Sequence, residues 1–426
     1  MSNLRNLWMM PMKLVQFGAG NIGRAFVGQL FGRAGWEVVF VEIDHGLVAA
    51  LNRERRYAVE IRDEPPERIV VEGVRAVDAR DRGAVAEEIA TADIAATAVG
   101  PHALDSVYPL LAAGLLRRRE LRGGPLDILI CENLRSAADI FRENLLRHLP
   151  EDFDLECDVG LVETSIGKMV PLISDAERRR DPLTVYAEAF NTLIVDGRAF
   201  KRPVPPVPGL DAKDNIAAYV DRKSFIHNLG HAAAAYLGFV AQPDRLYLWQ
   251  ALEDQRVETI TRGAMWESGR ALIAEYPAEF DPANQREHIE DLLRRFRNRR
   301  LGDTVYRVGR DLFRKLGAAD RVIGALRLQM RRGIEPTATV AALAAALRFR
   351  ATDEAGEPLP DDARFAAALE TLGPEAMLAD ACGLDARSGA DAQVIGRATR
   401  LYDRLRDDAQ RQATLDEIAA ECQGAR

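Results

Sequence analysis

Two groups of residues have the types and spacing to do chemistry. The first is Gly18-Ala19-Gly20-Asn21-Ile22-Gly23, a G-x-G-x-x-G run. Gly18 permits a tight turn, Gly20 lets a pyrophosphate approach the main chain, and Gly23 lets the following helix lie close to the preceding strand. Asn21 and Ile22 fall at the start of that helix, where unpaired N–H groups and a partial positive charge face phosphates. Glu42, about 20 residues further on, is placed to accept hydrogen bonds from ribose hydroxyls. A carboxylate there repels a 2′-phosphate, which favours NAD over NADP; Asp44 competes for the same role. Gly100, in TAVGP (97–101), ends an apolar strand, where the nicotinamide half of a dinucleotide would pass. A Gly-Pro pair also marks an ordinary strand-ending turn.

The second group lies in DRKSFIHNLGHAAAAYLG, residues 221–238, which holds Lys223, His227, Asn228 and His231. At about 100° per residue these fall near about 0°, 40°, 140° and 80°, so all four share one broad helical face. A polar cluster leading into an alanine-rich, buried helix needs either partners or a function. The small residues after it let that helix approach another element closely.

The elements that must position these groups follow from periodicity. Residues 13–17 (KLVQF) and 37–44 (EVVFVEID) read as buried strands flanking the glycine turn and an apolar helix over 21–33. That is a β–turn–α–β unit, so the two strands should pair in parallel. DIAATAV (93–99) and DILIC (127–131) extend the pattern, and YAVEIR (57–62) with RIVVEGV (68–74) suggests a local antiparallel pair. Alternating strands and helices imply an α/β fold with a Rossmann-type, doubly wound parallel sheet. Four prolines between Arg202 and Gly209 cannot sit in a central strand, and beyond them alanine, leucine, arginine and glutamate recur at helical spacing. The expected organisation is a tail over 1–12, with Met9, Met10 and Met12 as possible starts, a dinucleotide domain over 13–203, and a mainly helical substrate domain over 204–426.

The chain has 426 residues, 47% apolar and 29% charged, enough for two cores. A net charge of -8 argues against a nucleic-acid partner. Cys131, Cys157, Cys382 and Cys422 are widely scattered, which fits reduced thiols in a cytoplasmic protein better than a disulfide frame. No close Cys/His grouping suggests a metal, and no apolar run is long enough for a membrane span.

FGAGNIGRAFVG, the tripeptide Cys131-Glu132-Asn133, Lys-x4-Asn-x2-His at 223–231 and RDLFRKLGAADRVIGAL (310–326) together resemble the polyol-specific long-chain dehydrogenases, from about Lys13 to about Phe349. The resemblance implies NAD-dependent, zinc-independent oxidation of a sugar alcohol, and leans towards a monomer. It implies Lys223 as general acid/base, Asn228 and Asn133 as donors to the reacting oxygen, and His231 as the group that positions the lysine or the substrate; His227 stands outside the set. From the residues alone, Lys223 is also readable as a solvated lysine, Asn133 as a helix cap and His231 as a core histidine.

The leading reaction under this resemblance is mannitol 1-phosphate to fructose 6-phosphate. A phosphate needs cations, and Arg307, Arg310, Arg314 and Lys315 offer them; if the stretch is one helix, the three arginines share a face. That face reads equally as a solvated outer surface. Arg24 is expected to face the cofactor or substrate cleft between the domains. The chain departs from the family pattern at Ala25, at IGKMVP (166–171) and at FNTLIVDG (190–197). These departures leave open an unphosphorylated polyol or a hexuronate as substrate, and a non-catalytic dinucleotide sensor as the reading of another class.

Overall fold

The computed structural model describes residues 11–171 and 175–424. The expected tail over 1–12 therefore lies outside the described residues except for Pro11 and Met12; the Met12 carbonyl already accepts from Glu37 N at 2.9 Å. The chain divides into two compact units, residues 1–219 and 220–426.

The strands of the first unit are β1 (Lys13–Phe17), β2 (Glu37–Glu42), β3 (Arg56–Ile61), β4 (Glu67–Glu72), β5 (Val74–Asp78), β6 (Ile94–Thr97), β7 (Leu126–Ile130), β8 (Val159–Ile166), β9 (Thr184–Ala187), β10 (Leu193–Asp196) and β11 (Leu210–Lys213). Eight of them form one sheet in the order β11-β10-β8-β7-β6-β1-β2-β5. From β5 to β8 every pairing is parallel, and β10 then runs antiparallel to β8. This is the doubly wound order, with its reversal beside β1, between β1 and β6.

Burial on both faces explains why these strands read as unbroken apolar runs. Leu14, Val38, Phe40, Ala96 and Leu129 point into one core with Phe26, Leu30 and Phe31 of the first helical stretch. Val15, Phe17, Val39, Val41, Ile128 and Ile130 point into the other, against helices Arg82–Ala90, Leu104–Glu120 and Ala137–Leu146. The expected antiparallel pair is β3 with β4, and β9 joins it to make a second, three-stranded sheet. Gly73, at φ 71°, ends that hairpin and lets Val74 start β5 beside β2.

The boundary expected near 203 falls inside the first unit. The proline-rich stretch is irregular as anticipated, but Leu210–Lys213 returns as β11 and pairs in parallel with β10. A strand of four residues with only half-buried or exposed positions carries little periodic signal in the sequence.

The second unit is helical. Leu229–Ala241 is buried along almost its whole length, and Gln255–Glu275 and Thr337–Leu347 pack on it. Its small residues permit that approach: a Cβ at Gly230 would lie 2.5 Å from Met265 Sδ. Helices Gly389–Arg406 and Asp408–Gly424 pack on the same group. No helix among the described residues is long and apolar enough to cross a membrane.

Candidate active site

In the first unit the glycine turn sits at the end of β1, where the strand order reverses. Gly18 has φ 84°, and a Cβ there would stand 2.6 Å from the Ala98 carbonyl oxygen; a Cβ at Gly23 would run into the Gly18 carbonyl. Gly20 differs: nothing lies within 4 Å of its Cβ position, and it is exposed. Two glycines are thus required by the protein's own packing, while the third keeps a face of main chain open. That is the fit a dinucleotide pyrophosphate needs. The helix that follows begins with a π-helical stretch, Gly23–Gly28, preceded by the half-buried Asn21 and Ile22.

Glu42 is held at the rim of this turn. Its Oε2 accepts from Ala19 N at 2.8 Å, and its Oε1 from Ile43 N at 2.8 Å. Asp44 is occupied elsewhere: its Oδ1 accepts from Gly46 N and Leu47 N and caps helix His45–Glu54. That cap ties Asp44 to its own helix, whereas Glu42 lies against the glycine turn. Arg24, expected at a cleft, is enclosed among residues of the first unit. It is buried, its Nε donates to the Ala19 carbonyl at 2.6 Å and its Nη1 to the Pro182 carbonyl, so it braces the turn from beneath.

Gly100, at φ 86° and with open space at its Cβ position, lies beyond β6. A residue that sequence reasoning passed over fixes it there. Glu132, buried, accepts from Val99 N and Gly100 N at 2.9 Å each. Burial pushes its carboxyl pKa up, and the two N–H donors oppose that shift. The only signal was its place inside Cys-Glu-Asn. Asn133, next along, is exposed at the end of β7; Ser136, not Asn133, occupies the cap position of helix Ala137–Leu146. The departing segments meet each other: Lys168, buried, donates to Asn191 Oδ1 at 2.8 Å and to Gln29 Oε1 at 3.2 Å.

In the second unit Lys223–Asn228 is π-helical and runs directly into Leu229–Ala241. A π-turn is wider than an α-turn, so the 100° spacing does not hold through it, and such turns concentrate at functional sites. Lys223, His227 and His231 still converge. Burial brings the Lys223 ammonium pKa down to about 8; Arg321 and Arg314 add to the shift and Asp320 opposes it. Burial also holds His227 well below the usual imidazole range, with Arg295, His231 and Lys223 contributing. His231 stacks on Phe296 at 4.8 Å between centroids, and its Nε2 lies 3.3 Å from Asp303 Oδ2. Burial lowers its pKa against the pull of that carboxylate. Asn228 has no hydrogen-bond partner among the described residues and is half-buried, so its amide is available to a ligand.

The cations at 307–315 are arranged differently from expectation. The stretch is not one helix: Val305–Gly309 ends, Asp311 turns at φ 75°, and Leu312–Lys315 starts anew with Asp362 accepting from Asp311 N and Leu312 N. Arg307, Arg310 and Arg314 therefore do not line a single face. Arg307 pairs with Asp303, and Arg310 lies over the Tyr306 ring. Arg314 pairs with Asp311 and Asp320, and the buried Lys315 gives its Nζ to the Val308 carbonyl at 2.6 Å. Arg321, buried and bonded to Asp320, is the further cation that bears on Lys223.

Chemically, the first unit offers a dinucleotide cradle, and the second a lysine whose ammonium is pushed down to about 8 on the same helical segment as the Asn228 amide. Comparison with known proteins bears on both. The mannitol dehydrogenase Rossmann domain model matches residues 12–209, and the mannitol dehydrogenase C-terminal domain model matches 215–387. A mannitol-1-phosphate 5-dehydrogenase of Brevibacillus brevis (strain 47 / JCM 6285 / NBRC 100599) is 36% identical over 392 residues, covering 92% of this chain and 98% of that one. Among solved structures, the fold is similar to Pseudomonas fluorescens mannitol 2-dehydrogenase in ternary complex with NAD and D-mannitol, with TM-score 0.73, 18% identity and coverage of 96% and 94%. It is also similar to a substrate-free D-sorbitol dehydrogenase, with TM-score 0.78, 16% identity and 95% of each chain covered. With both domain models matched and a relative of this identity aligned over nearly all of its length, the chain belongs to the mannitol dehydrogenase family.

Proposed function

We propose that this protein is an NAD-dependent sugar-alcohol dehydrogenase whose leading reaction interconverts mannitol 1-phosphate and fructose 6-phosphate. The observation that carries the reading is the π-helical turn that sets the half-buried Lys223 on one segment with Asn228 and His231; burial of its amine pushes the ammonium down to about 8. The 36% identity to a mannitol-1-phosphate 5-dehydrogenase supports the phosphorylated substrate. Gly18, Gly20, Asn21, Ile22 and Gly23 would hold the pyrophosphate of NAD, Glu42 the ribose hydroxyls and Gly100 the nicotinamide side. When bound, NAD supplies the hydride acceptor. Lys223, neutral, takes the proton from the substrate hydroxyl as the carbonyl forms. Asn228, with Asn133 as second donor, hydrogen-bonds to the oxygen on which charge develops. His231, held by Phe296 and Asp303, positions the lysine or the substrate.

Arg310, Arg314 and Lys315 are the proposed phosphate ligands, and Arg321 strengthens the positive field around them. One observation favours a second reading, an unphosphorylated polyol or hexuronate: Arg314 already holds two aspartates and Lys315 a backbone carbonyl. NADH oxidation with fructose 6-phosphate and with fructose, in wild type and in Lys223→Ala, separates the two. Turnover of the phosphate ester alone, abolished by the substitution, is expected. Turnover of fructose but not its phosphate would move the assignment to a free-polyol enzyme, and an unaffected Lys223→Ala enzyme would overturn the mechanism.

A further inference from the structure

Helix Gln255–Glu275 has two working sides. One packs on the lysine-bearing turn and on Gly230 through Met265. On the other, Arg262, Trp266 and Arg270, spaced four apart, line a cavity of about 1030 Å³. None of the residues proposed for catalysis contributes to this cavity.

The lining carboxylates are all spent. Glu258 pairs with Arg262 at 2.6 Å and Arg297 at 2.5 Å, Glu290 with Arg262, and Glu335 with Arg397 at 2.7 Å. Glu267, buried, accepts from Ala338 N, Thr339 N and the Thr339 hydroxyl. Two cations in the lining have no hydrogen-bonded or ion-paired partner among the described residues, although the Glu267 carboxylate acts electrostatically on Arg270. Arg270 makes no hydrogen bond or ion pair with the described residues, and its Nε is fully shielded from solvent without an acceptor. Arg286, exposed, lies over the Trp266 ring at 5.7 Å and makes no ion pair among the described residues.

A shielded guanidinium N–H without an acceptor is costly, and guanidinium forks match phosphate oxygens. The volume far exceeds that of a bare inorganic anion, and Trp266 with Ile289 supplies an apolar wall for an organic body. We infer that this cavity is a second ligand site, for an organic phosphate held by Arg270 and Arg286 with its organic part against Trp266. The inference is independent of the dehydrogenase reading and survives its failure.

Calorimetric titration tests it, using adenosine monophosphate, glucose 6-phosphate and inorganic phosphate as probes, with NADH saturating so that a dinucleotide site does not contribute. The expected result is saturable binding of at least one organic probe, tighter than inorganic phosphate, and weakened roughly tenfold or more in both Arg270→Gln and Arg286→Gln. Both variants should keep the wild-type circular dichroism and melting temperature; Arg286 is exposed, so its substitution probes binding without a threat to folding. No saturable binding to wild type, binding no tighter than that of inorganic phosphate, or binding undiminished in either variant would overturn the proposal.

Discussion

A lysine can take a proton from an alcohol near neutral pH only when its pKa has been brought down towards that range. For Lys223, burial does most of this and the guanidinium groups of Arg321 and Arg314 add to it, giving about 8. The sign sets a pH dependence. With Lys223 as the proposed base, the neutral amine would be the working form in alcohol oxidation, so kcat/KM in that direction should rise with pH and level off above about 8. Carbonyl reduction uses the ammonium form and should fall over the same interval. Whatever residual turnover Lys223→Ala retains should show neither limb; residual turnover that keeps them would assign the titration to another group. The lysine, asparagine and histidine were legible because one helical segment carries them. Asp303 and Arg321 were not, since separate segments bring them to His231 and Lys223.

At the scale of elements, the glycine turn separates what folding requires from what a ligand requires. Gly18→Ala forces a side chain onto a left-handed backbone and against the Ala98 carbonyl, and Gly23→Ala drives a Cβ into the Gly18 carbonyl. Each should destabilise the protein by about 1–3 kcal/mol, read as a lower melting temperature. Gly20→Ala meets nothing within 4 Å, so its melting temperature should match wild type. Its dissociation constant for NADH should nevertheless rise roughly tenfold or more, since about 1.4 kcal/mol of clash with the pyrophosphate suffices. Equal NADH binding by Gly20→Ala would show that the main chain there is not the phosphate contact. The broken helix at 307–315 shows the converse: Asp362, distant in sequence, caps a second short helix and defeats a face drawn on one continuous wheel.

Across the whole molecule the thiols divide by burial. Cys131, Cys382 and Cys422 are free and buried, and burial pushes each thiol up to about 12; Cys157 is exposed, with Asp154 raising its pKa. A thiol-specific chromogenic reagent should therefore react fastest with Cys157 in the native state, more slowly with Cys422, which borders the cavity beside Trp266, and with all four only in denaturant. Reaction of Cys131 or Cys382 before unfolding would mean that a core opens more readily than its packing implies.

The sequence by itself determined the parallel Rossmann-type sheet, the β3–β4 pair, the helical second unit and the fingerprint, because local periodicity and glycine placement are properties of contiguous residues. It did not determine β11, whose four residues carry no alternating apolar signal, and so the first unit ends later than the prolines suggest. Tertiary structure alone decided that Asp44 caps a helix and that Glu42 is held against the glycine turn. It decided that Glu132 pins Gly100, that Arg24 braces the turn, and that Lys315 is spent on a carbonyl. The physical reason is common to these cases. A hydrogen bond or a shifted pKa depends on which groups meet and how much water is excluded, and both follow from how the folded segments pack.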